Sequence, residues 1–419
     1  MKKAFPALLA LLCACLALLV ATSSSPLYAT NFWTDTNIYF TIGRGMTRGL
    51  MPYRDLFDHK GPLLFILYAL GAAISDTSFI GVFALEALSL AAAGWVVLIK
   101  YTDIGLFAGL GVCLLAFVWR REGFCRALLA AGRMLLGAAL VCAPVAAYLA
   151  VNGALGACVE VYFVQNLFDY SGMPMSLTGH VYNALAYLRT QSVINPAVTV
   201  LVALGAGFVL LDAAKRHERG WFWQALALPM GAGLLLLTCY WGEMAHPYYA
   251  LAFAGLCAPG LIPLAWLANR AERRGPFAWT LPMAGVLAVT PTCMGLCRAV
   301  PLMQVRKADM PQTVFAEMMN REGNPTLLDI TSLDQGFYLA AGIVPNCRYF
   351  ADNNLQTKEK KEAIASYLAE GKTQFVVTRY ADPGERYALI AEADGVFDLN
   401  DMRHYKLYER IEENDGGLP

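Results

Sequence analysis

The segment from residue 33 to residue 62 carries acidic and basic side chains at close spacing. These residues are Asp35, Arg44, Arg48, Arg54, Asp55, Asp58, His59 and Lys60. Aromatic and aliphatic residues separate the charges, as in a loop that folds against a membrane surface. A solvated polar loop is the alternative interpretation. Carboxylates mixed with cations at this spacing nevertheless suit a site that holds an anion beside a base.

The chemistry available to such a site follows from its residue types. A lysine binds a phosphate group as a point charge, and an arginine binds it with two parallel donors. A carboxylate held near them could deprotonate an acceptor hydroxyl. The cations would stabilise the charge that develops on a departing phosphate. The residues by themselves indicate transfer from a phosphate-bearing donor and go no further.

The elements that must position this segment are strongly apolar. Of the 419 residues, 57% are hydrophobic and 15% are charged, whereas globular proteins carry about 25% charged residues. This composition excludes a single soluble domain, a disordered chain and a nucleic-acid-binding protein built on a basic face. Apolar runs lie near 5–21, 62–75, 79–99, 104–119, 134–151, 196–211, 222–241, 247–267 and 277–297. Because about 20 such residues cross a bilayer, the pattern predicts a mainly α-helical polytopic membrane protein.

The basic residues predict how these runs are oriented, because Lys and Arg are retained on the cytoplasmic side. Four clusters carry them: Lys2 and Lys3; Arg120, Arg121, Arg126 and Arg133; Lys215, Arg216 and Arg219; Arg270, Arg273 and Arg274. With the clusters inside, 22–61 becomes the first outer loop. We therefore predict a transmembrane domain over 1–297 and an extracytoplasmic domain over 298–419, in the cytoplasmic membrane. Arg44, Arg48, Arg54 and Lys60 then lie on the side that the rule disfavours, which marks their loop as the candidate site.

The C-terminal region 298–419 reads as a small α/β domain. Segments 326–331, 374–378 and 405–411 have the composition of strands, and 358–370 and 384–393 look helical. No glycine-rich phosphate loop and no nucleophile elbow are present. The simplest interpretation is a domain that covers the site or recognises the acceptor.

The loop at 33–62 resembles the first extracytoplasmic loop of GT-C glycosyltransferases, in the bacterial branch related to protein O-mannosyltransferases and lipid A aminoarabinose transferases. Those enzymes use sugars linked to polyprenyl phosphate and act at the outer face of the membrane. The resemblance implies a GT-C-like helix bundle in which Asp35, soon after the first span, is the catalytic carboxylate. It also implies that Lys60, just before Pro62, contacts the carrier phosphate. Arg54 and His59 lie in the matching stretch and are further candidates for that contact.

A second resemblance lies at His246–Tyr249, at the outer end of a predicted span. Family members often carry a basic or aromatic group there that faces the carrier, so His246 is a further candidate phosphate contact. A histidine in the aromatic belt of the membrane interface is the alternative. The C-terminal sequences Asp334–Tyr338, Cys347–Phe350 and Phe375–Thr378 also resemble the outer domain of this branch. The resemblance thus covers most of the chain.

The chain departs from the family between residues 98 and 99. Family members usually have more spans there, whereas here Gly94–Leu98 runs almost directly into Ile99–Thr102. The number of crossings between the first two basic clusters must be even, but the runs 5–21, 79–99 and 104–119 number three. Either the run 62–75 also crosses, or the chain is an internally shortened member. We prefer shortening, which would remove outer-loop groups and leaves eight or nine spans.

Three functions follow from these observations. The leading hypothesis is a glycosyltransferase whose donor is a polyprenyl-phosphate-linked sugar and whose acceptor is a cell-envelope glycan, lipid or protein. The alternative is an inactive shortened relative that acts as a membrane scaffold or binds a lipid phosphate. A transporter or flippase ranks last, because no internal repeat is visible and mid-span charges are few.

No residue pattern in the sequence requires a cofactor. The eleven cysteines lack the pairing expected of a zinc site or a disulfide framework. No compact carboxylate cluster requires a divalent metal, and metal dependence is left open. No nucleic acid is expected among the partners.

Overall fold

The computed structural model describes residues 12, 15–92, 104–165, 176–216, 219–241, 247–272, 280–297, 299–352, 355–398 and 401–411. Within these ranges the chain is mainly helical, with one small sheet near the C-terminus. The predicted shortening between residues 98 and 99 lies outside the described residues and stays a prediction.

The helices, after a helical segment at 15–21, are labelled in chain order. They are α1 (Thr34–Thr47), α2 (Pro62–Ile74), α3 (Ile80–Ala92), α4 (Ile104–Glu122), α5 (Phe124–Val151), α6 (Leu155–Cys158, continued by a π-helix at Val159–Gln165), α7 (Leu177–Ile194), α8 (Pro196–Arg216), α9 (Trp221–Cys239), α10 (Ala258–Glu272, preceded by a 3-10 helix at Pro247–Cys257), α11 (Thr280–Leu296), α12 (Pro311–Met319), α13 (Phe337–Ala340) and α14 (Lys358–Ala369). Short 3-10 turns flank α12, at Val300–Gln304, Lys307–Asp309 and Asn320–Glu322. Proline begins α2, α8 and α12, where its fixed φ suits the first helical turn.

Three helices of the described ranges, α5, α8 and α9, are long and apolar enough to cross a membrane. They contain or overlap the predicted runs 134–151, 196–211 and 222–241. The predicted run 247–267 is a 3-10 helix followed by the first part of α10. Helix α2 has 13 residues and is about 20 Å long, which is shorter than a hydrocarbon core of about 30 Å. Length and composition thus support a membrane protein, and the complete set of spans stays a prediction.

The chain forms two compact units. Unit 1 comprises residues 1–92, 150–164 and 283–419, and unit 2 comprises residues 93–149 and 165–282. Helices α1–α3 therefore belong to the same unit as the C-terminal sheet. The predicted boundary at 297/298 and the extracytoplasmic placement of the C-terminal region stay predictions.

Unit 1 contains a four-stranded sheet with the order β1-β2-β4-β3. Its strands are β1 (Leu327–Asp329), β2 (Phe375–Thr378), β3 (Tyr387–Asp398) and β4 (Asp401–Arg410). Strands β1 and β2 are parallel, and β4 is antiparallel to both β2 and β3. Every residue of β1 and β2 is buried, as expected for parallel strands covered on both faces. The sheet confirms the strands predicted near 326–331, 374–378 and 405–411, and α14 confirms the helix near 358–370.

The prediction of a helix over 384–393 is wrong. This stretch belongs to β3, which pairs with β4 from Tyr387↔Arg410 to Asp398↔Asp401 in a hairpin. Alanine and glutamate favour a helix locally, but the pairing with the β-prone strand β4 overrides that preference. The error is typical of an edge strand with little burial, because its sequence lacks a clear alternation of apolar and polar residues.

Helix α1 connects the N-terminal part of unit 1 to the C-terminal region through one polar face. Asn37, Thr41 and Arg44 follow at helical spacing and share that face. The Asn37 amide donates to the Asp334 carbonyl oxygen at 3.1 Å, and the Thr41 hydroxyl donates to the Asp334 carboxylate at 2.7 Å. Arg44 Nη1 donates to the carbonyl oxygens of Tyr338 and Ile343, each at 3.3 Å. A polar helix face is thus buried because the C-terminal region supplies its partners.

Unit 2 packs its helices through small residues and apolar side chains. A methyl group at Gly109 of α4 would lie 2.7 Å from the Gly231 Cα of α9. The two helices can approach this closely because Gly109 carries no side chain. Leu228, Leu235 and Cys239 of α9 lie in the buried cluster of this unit.

Candidate functional site

Asp35 lies in the first turn of α1, which begins directly after Trp33 in extended backbone. A carboxylate in the first turn is stabilised by the positive end of the helix dipole. The side chain is half-buried. Its charge acts on His59, whose protonated form it favours. The charges of Asp35, Asp58 and Lys60 therefore all act on the same imidazole.

The loop before α2 is held in shape by a buried tyrosine. Tyr53 has a φ of 68°, in the left-handed region that a bulky residue rarely adopts. Its N–H donates to the Leu56 carbonyl oxygen at 2.8 Å, and its hydroxyl donates to the Lys60 carbonyl oxygen at 2.6 Å. The turn that begins at Pro52 therefore fixes the backbone of Lys60.

Asp58, His59 and Lys60 place their side chains in a row. The Lys60 Nζ lies 3.3 Å from His59 Nε2, and the His59 Nδ1 lies 3.2 Å from Asp58 Oδ1. An ammonium group can only donate, so Nε2 accepts and the imidazole proton is on Nδ1, within ion-pair distance of the carboxylate. Asp58 Oδ1 also accepts the His59 backbone N–H at 2.6 Å. Lys60, half-buried, is the end of this row.

The environment keeps His59 neutral. Burial lowers the pKa of His59 first, and the adjacent charge of Lys60 lowers it further, while Asp58 and Asp35 act in the opposite direction. An imidazole with a pKa below its usual 6.5 is uncharged at neutral pH. The row therefore presents one cation, on Lys60, rather than two.

Arg54 is bound to the neighbouring residue of its own loop. Its guanidinium donates to the Asp55 carboxylate at 2.8 and 2.6 Å and to the Asn152 carbonyl oxygen at 2.6 Å. The hydrogen bond from Arg54 holds the pKa of Asp55 below its usual range. Asp55 also accepts the Met51 N–H at 2.8 Å and so shapes the turn. A role of Arg54 at a carrier phosphate would require it to leave these partners.

His246 lies outside the described residues, and its predicted phosphate contact stays a prediction.

Two of the other cations singled out in the sequence have partners in unit 1. Arg44 is buried against the C-terminal region, as described above, and Arg48 lies 3.5 Å from Asp76. Of the four cations in the loop, Lys60 is thus the one that the structure brings beside His59.

Two features of the site were missed from the sequence. The Asp58 carboxylate lies 3.2 Å from His59 Nδ1, and the predicted site residues do not include it. Asp329 and Asp334 form a buried acidic pair, in which burial raises the pKa of each and the charge of Asp334 raises that of Asp329 further. The sequence did contain an indication for Asp58, because an acidic residue directly before a histidine can orient the imidazole. The burial of Asp329 and Asp334 could not be predicted, because it depends on residues far apart in the chain.

Unit 2 contains an open apolar cavity of about 290 Å³. Helices α7, α8 and α9 line it at the end of α8 opposite to Lys215 and Arg216, together with Phe253. Its few polar groups include Gln191 and Asn195, which bind each other at 2.8 Å. Cavities of this size and character accept apolar ligands.

Comparison with known proteins does not identify a relative. No family model, no curated protein and no solved structure matches this chain. In the part of the chain that the structure describes, no group of three or more His, Cys, Asp or Glu residues could hold a metal ion. The functional interpretation therefore rests on the residues of the site.

Proposed function

We propose that this chain is a membrane glycosyltransferase of the GT-C type, which moves a sugar from a polyprenyl phosphate to a hydroxyl group on the extracytoplasmic face. The observation that supports the proposal is the Asp58–His59–Lys60 row with Asp35 acting on the same imidazole. A half-buried carboxylate and an ammonium group held beside His59 supply the two groups that this transfer requires, a base and a phosphate contact.

The reaction assigns one role to each group. Asp35 accepts the proton of the acceptor hydroxyl while the acceptor oxygen forms a bond to the anomeric carbon of the sugar. The bond from that carbon to the phosphate oxygen breaks, and the polyprenyl phosphate leaves with the bonding electrons. Lys60 stabilises the negative charge that develops on the departing phosphate. The acceptor would be a glycan, lipid or protein of the cell envelope.

His59 supports Lys60 rather than competing with it. A neutral Nε2 accepts from the ammonium group and fixes its position without adding a charge that repels it. Preorganised charge of this kind stabilises a transition state more than a mobile side chain does. Arg54 and His246 remain proposed further contacts to the carrier.

The test measures sugar transfer from a labelled polyprenyl-phosphate sugar by the full chain in membranes. We expect Asp35→Asn to lower the rate by about 10²- to 10⁴-fold, because a general base contributes that much. Lys60→Met should weaken binding of the donor and slow transfer. Asp55→Asn is the matched control for Asp35→Asn from the same loop, and it should retain most of the activity.

Two results would overturn the proposal in different ways. Unchanged transfer in Asp35→Asn would remove the assignment of the base. If the unaltered protein binds a polyprenyl phosphate, loses that binding in Lys60→Met and never transfers sugar, the non-catalytic alternative is favoured.

A further inference from the structure

The buried tyrosine of the loop before α2 has a strained backbone. Tyr53 is 0% exposed, and its φ of 68° lies in a region that is unfavourable for a bulky residue. Contacts inside the N-terminal region supply part of the compensation. The Tyr53 N–H donates to the Leu56 carbonyl oxygen at 2.8 Å, and its ring packs on that of Phe65 with centroids 5.5 Å apart. A strained residue persists where surrounding contacts hold it, and such residues are common at functional sites.

A further contact to Tyr53 comes from the C-terminal region. Arg348 Nε donates to the Tyr53 carbonyl oxygen at 3.1 Å, across 295 positions of the chain. The Phe57 N–H donates to the Arg348 carbonyl oxygen at 2.9 Å. The Arg348 guanidinium also lies over the ring of Phe57, 5.7 Å from its centroid. One residue of the C-terminal region thus binds the loop at both ends of 53–57.

The bond to Tyr53 differs in kind from the ion pair that Arg348 makes. Arg348 Nη1 lies 3.4 Å from Glu359 Oε1, and the two side chains are 35% and 67% exposed. An exposed ion pair contributes little to stability. The Tyr53 carbonyl oxygen belongs to a residue that water does not reach, so the loss of its donor would be costly. The Nε donor is therefore the part of Arg348 that matters most to the loop.

The hydroxyl of Tyr53 extends this constraint to Lys60. It donates to the Lys60 carbonyl oxygen at 2.6 Å, and the Lys60 Nζ lies 3.3 Å from His59 Nε2. Two hydrogen bonds, one on each side of Tyr53, thus connect Arg348 to the backbone of Lys60. The ammonium group of the same residue completes the series at His59.

We propose that Arg348 is a positioning residue of the candidate site: it stabilises Tyr53 in its left-handed conformation, and the Tyr53 hydroxyl then holds Lys60 beside His59. Without the Nε donor, Tyr53 relaxes towards the backbone conformations that a bulky residue prefers, and Lys60 loses its fixed place. The C-terminal region thereby completes the phosphate-binding end of the site. The use of this placement in sugar transfer rests on the proposed function, whereas the placement itself does not.

The placement is tested by the ¹⁵N NMR signal of His59 Nε2 in the full chain in detergent, without substrate. The protein has five histidines, so selective labelling gives a simple spectrum, and His59→Gln assigns the signal. Lys60→Met defines the position of the signal when the ammonium group is absent. In Arg348→Met and in Tyr53→Phe we expect the signal to move towards that position, because each variant removes one hydrogen bond of the series.

Arg348→Gln is the matched control. The amide nitrogen of glutamine and the Nε of arginine are both bonded to Cδ, so this variant keeps a donor for Tyr53 and loses the ion pair with Glu359. Methionine has a similar length and no donor. We expect Arg348→Gln to keep the signal of the unaltered protein, and Glu359→Gln, which removes the same ion pair from the other side, to keep it as well.

Binding of a polyprenyl phosphate gives a second readout. Its Kd should rise about 2- to 10-fold in Arg348→Met, as for the loss of one hydrogen bond. It should stay unchanged in Arg348→Gln. This difference between two variants that both lack the ion pair separates positioning of Lys60 from a general loss of stability.

Each outcome decides the proposal. An unchanged His59 signal in Arg348→Met, whatever its melting temperature, would show a purely structural role and overturn it. Equal movement of the signal in Arg348→Met and Arg348→Gln would also overturn it, because the Nε donor would then not be the cause. If Arg348→Met does not fold, Tyr53→Phe decides, since it keeps the ring and removes only the hydroxyl, and an unchanged signal there overturns the proposal. Absence of sugar transfer in the unaltered protein would remove the proposed function but leave the NMR result standing.

Discussion

Unit 1 and unit 2 bury different kinds of side chain. Among the described residues, every buried polar or charged side chain lies in unit 1, including Arg44, Asp58, Asp329, Asp334 and Lys360. The buried side chains of unit 2 are those of alanine, leucine, cysteine and tyrosine. Unit 1 thus depends on finding the right polar partners, and unit 2 depends on fitting apolar helices closely together. Changes of charge should break the first, and changes of size should break the second.

The largest effect is expected from the buried arginine of unit 1. Arg44→Met removes the donor to the Tyr338 and Ile343 carbonyl oxygens and a cation whose charge acts on Asp334. Loss of one member of a buried charged network costs about 3 to 5 kcal/mol. Chemical unfolding of the full chain in detergent measures the loss. Arg48→Met, four residues along the same segment and exposed, is the control, and equal stability of the two variants would show that the polar face of α1 is not what holds unit 1 together.

A smaller effect is expected where unit 2 is closest packed. Gly109→Ala places a methyl group 2.7 Å from the Gly231 Cα, and overpacking of this kind costs about 2 kcal/mol. Gly233→Ala, on the same helix as Gly231, meets no atom within 4 Å and should gain slightly from helix propensity. Unfolding of both variants is the measurement. A Gly109→Ala protein as stable as Gly233→Ala would contradict the close approach of α4 and α9.

The smallest effect is a dependence on pH that belongs to unit 1. Burial and the charge of Asp334 raise the pKa of Asp329 to about 7. The folded protein therefore keeps a proton that the unfolded chain releases near pH 4, and stability from this group falls as pH rises towards 7. In Asp329→Asn this contribution to the pH dependence of stability should disappear. The difference in the free energy of unfolding between the variant and the unaltered protein should therefore change by about 1 kcal/mol between pH 6 and 7.

The melting temperature of both proteins between pH 5 and pH 7.5 checks this prediction. His59 has a lowered pKa and therefore destabilises the folded state as pH falls below 6.5, but it is present in both proteins and cancels in the comparison. Parallel curves for the two proteins would show that Asp329 carries no retained proton.

Local features of the site could be predicted from the sequence, and distant partners could not. The mixed charges of 33–62 pointed to the segment in which Lys60 lies beside His59, and the use of this segment as a site stays a prediction. Spacing could not show that Arg54 binds the adjacent Asp55, because neighbouring side chains in a loop have no fixed direction. Nor could it show that Arg44 is buried, since its partners follow 294 and 299 residues later.

In the fold, too, features set by the local sequence could be predicted, and features set by distant partners could not. Three apolar runs became long helices because composition alone dictates that structure in an apolar environment. In the sheet, β1 and β2 were predictable from short apolar runs, whereas β3 was assigned to a helix because its strand character comes from pairing with β4. Tertiary pairing of this kind leaves little trace in one strand taken by itself.

The partners of α1 also determine when the site can form during synthesis. Asn37, Thr41 and Arg44 leave the ribosome about 300 residues before Asp334 and Tyr338. At 5 to 20 residues per second, that interval is roughly 15 to 60 s. During this time the polar face of α1 has none of these partners, so the nascent N-terminal region exposes polar groups that the folded protein buries. The candidate site is therefore among the last parts of the molecule to be completed.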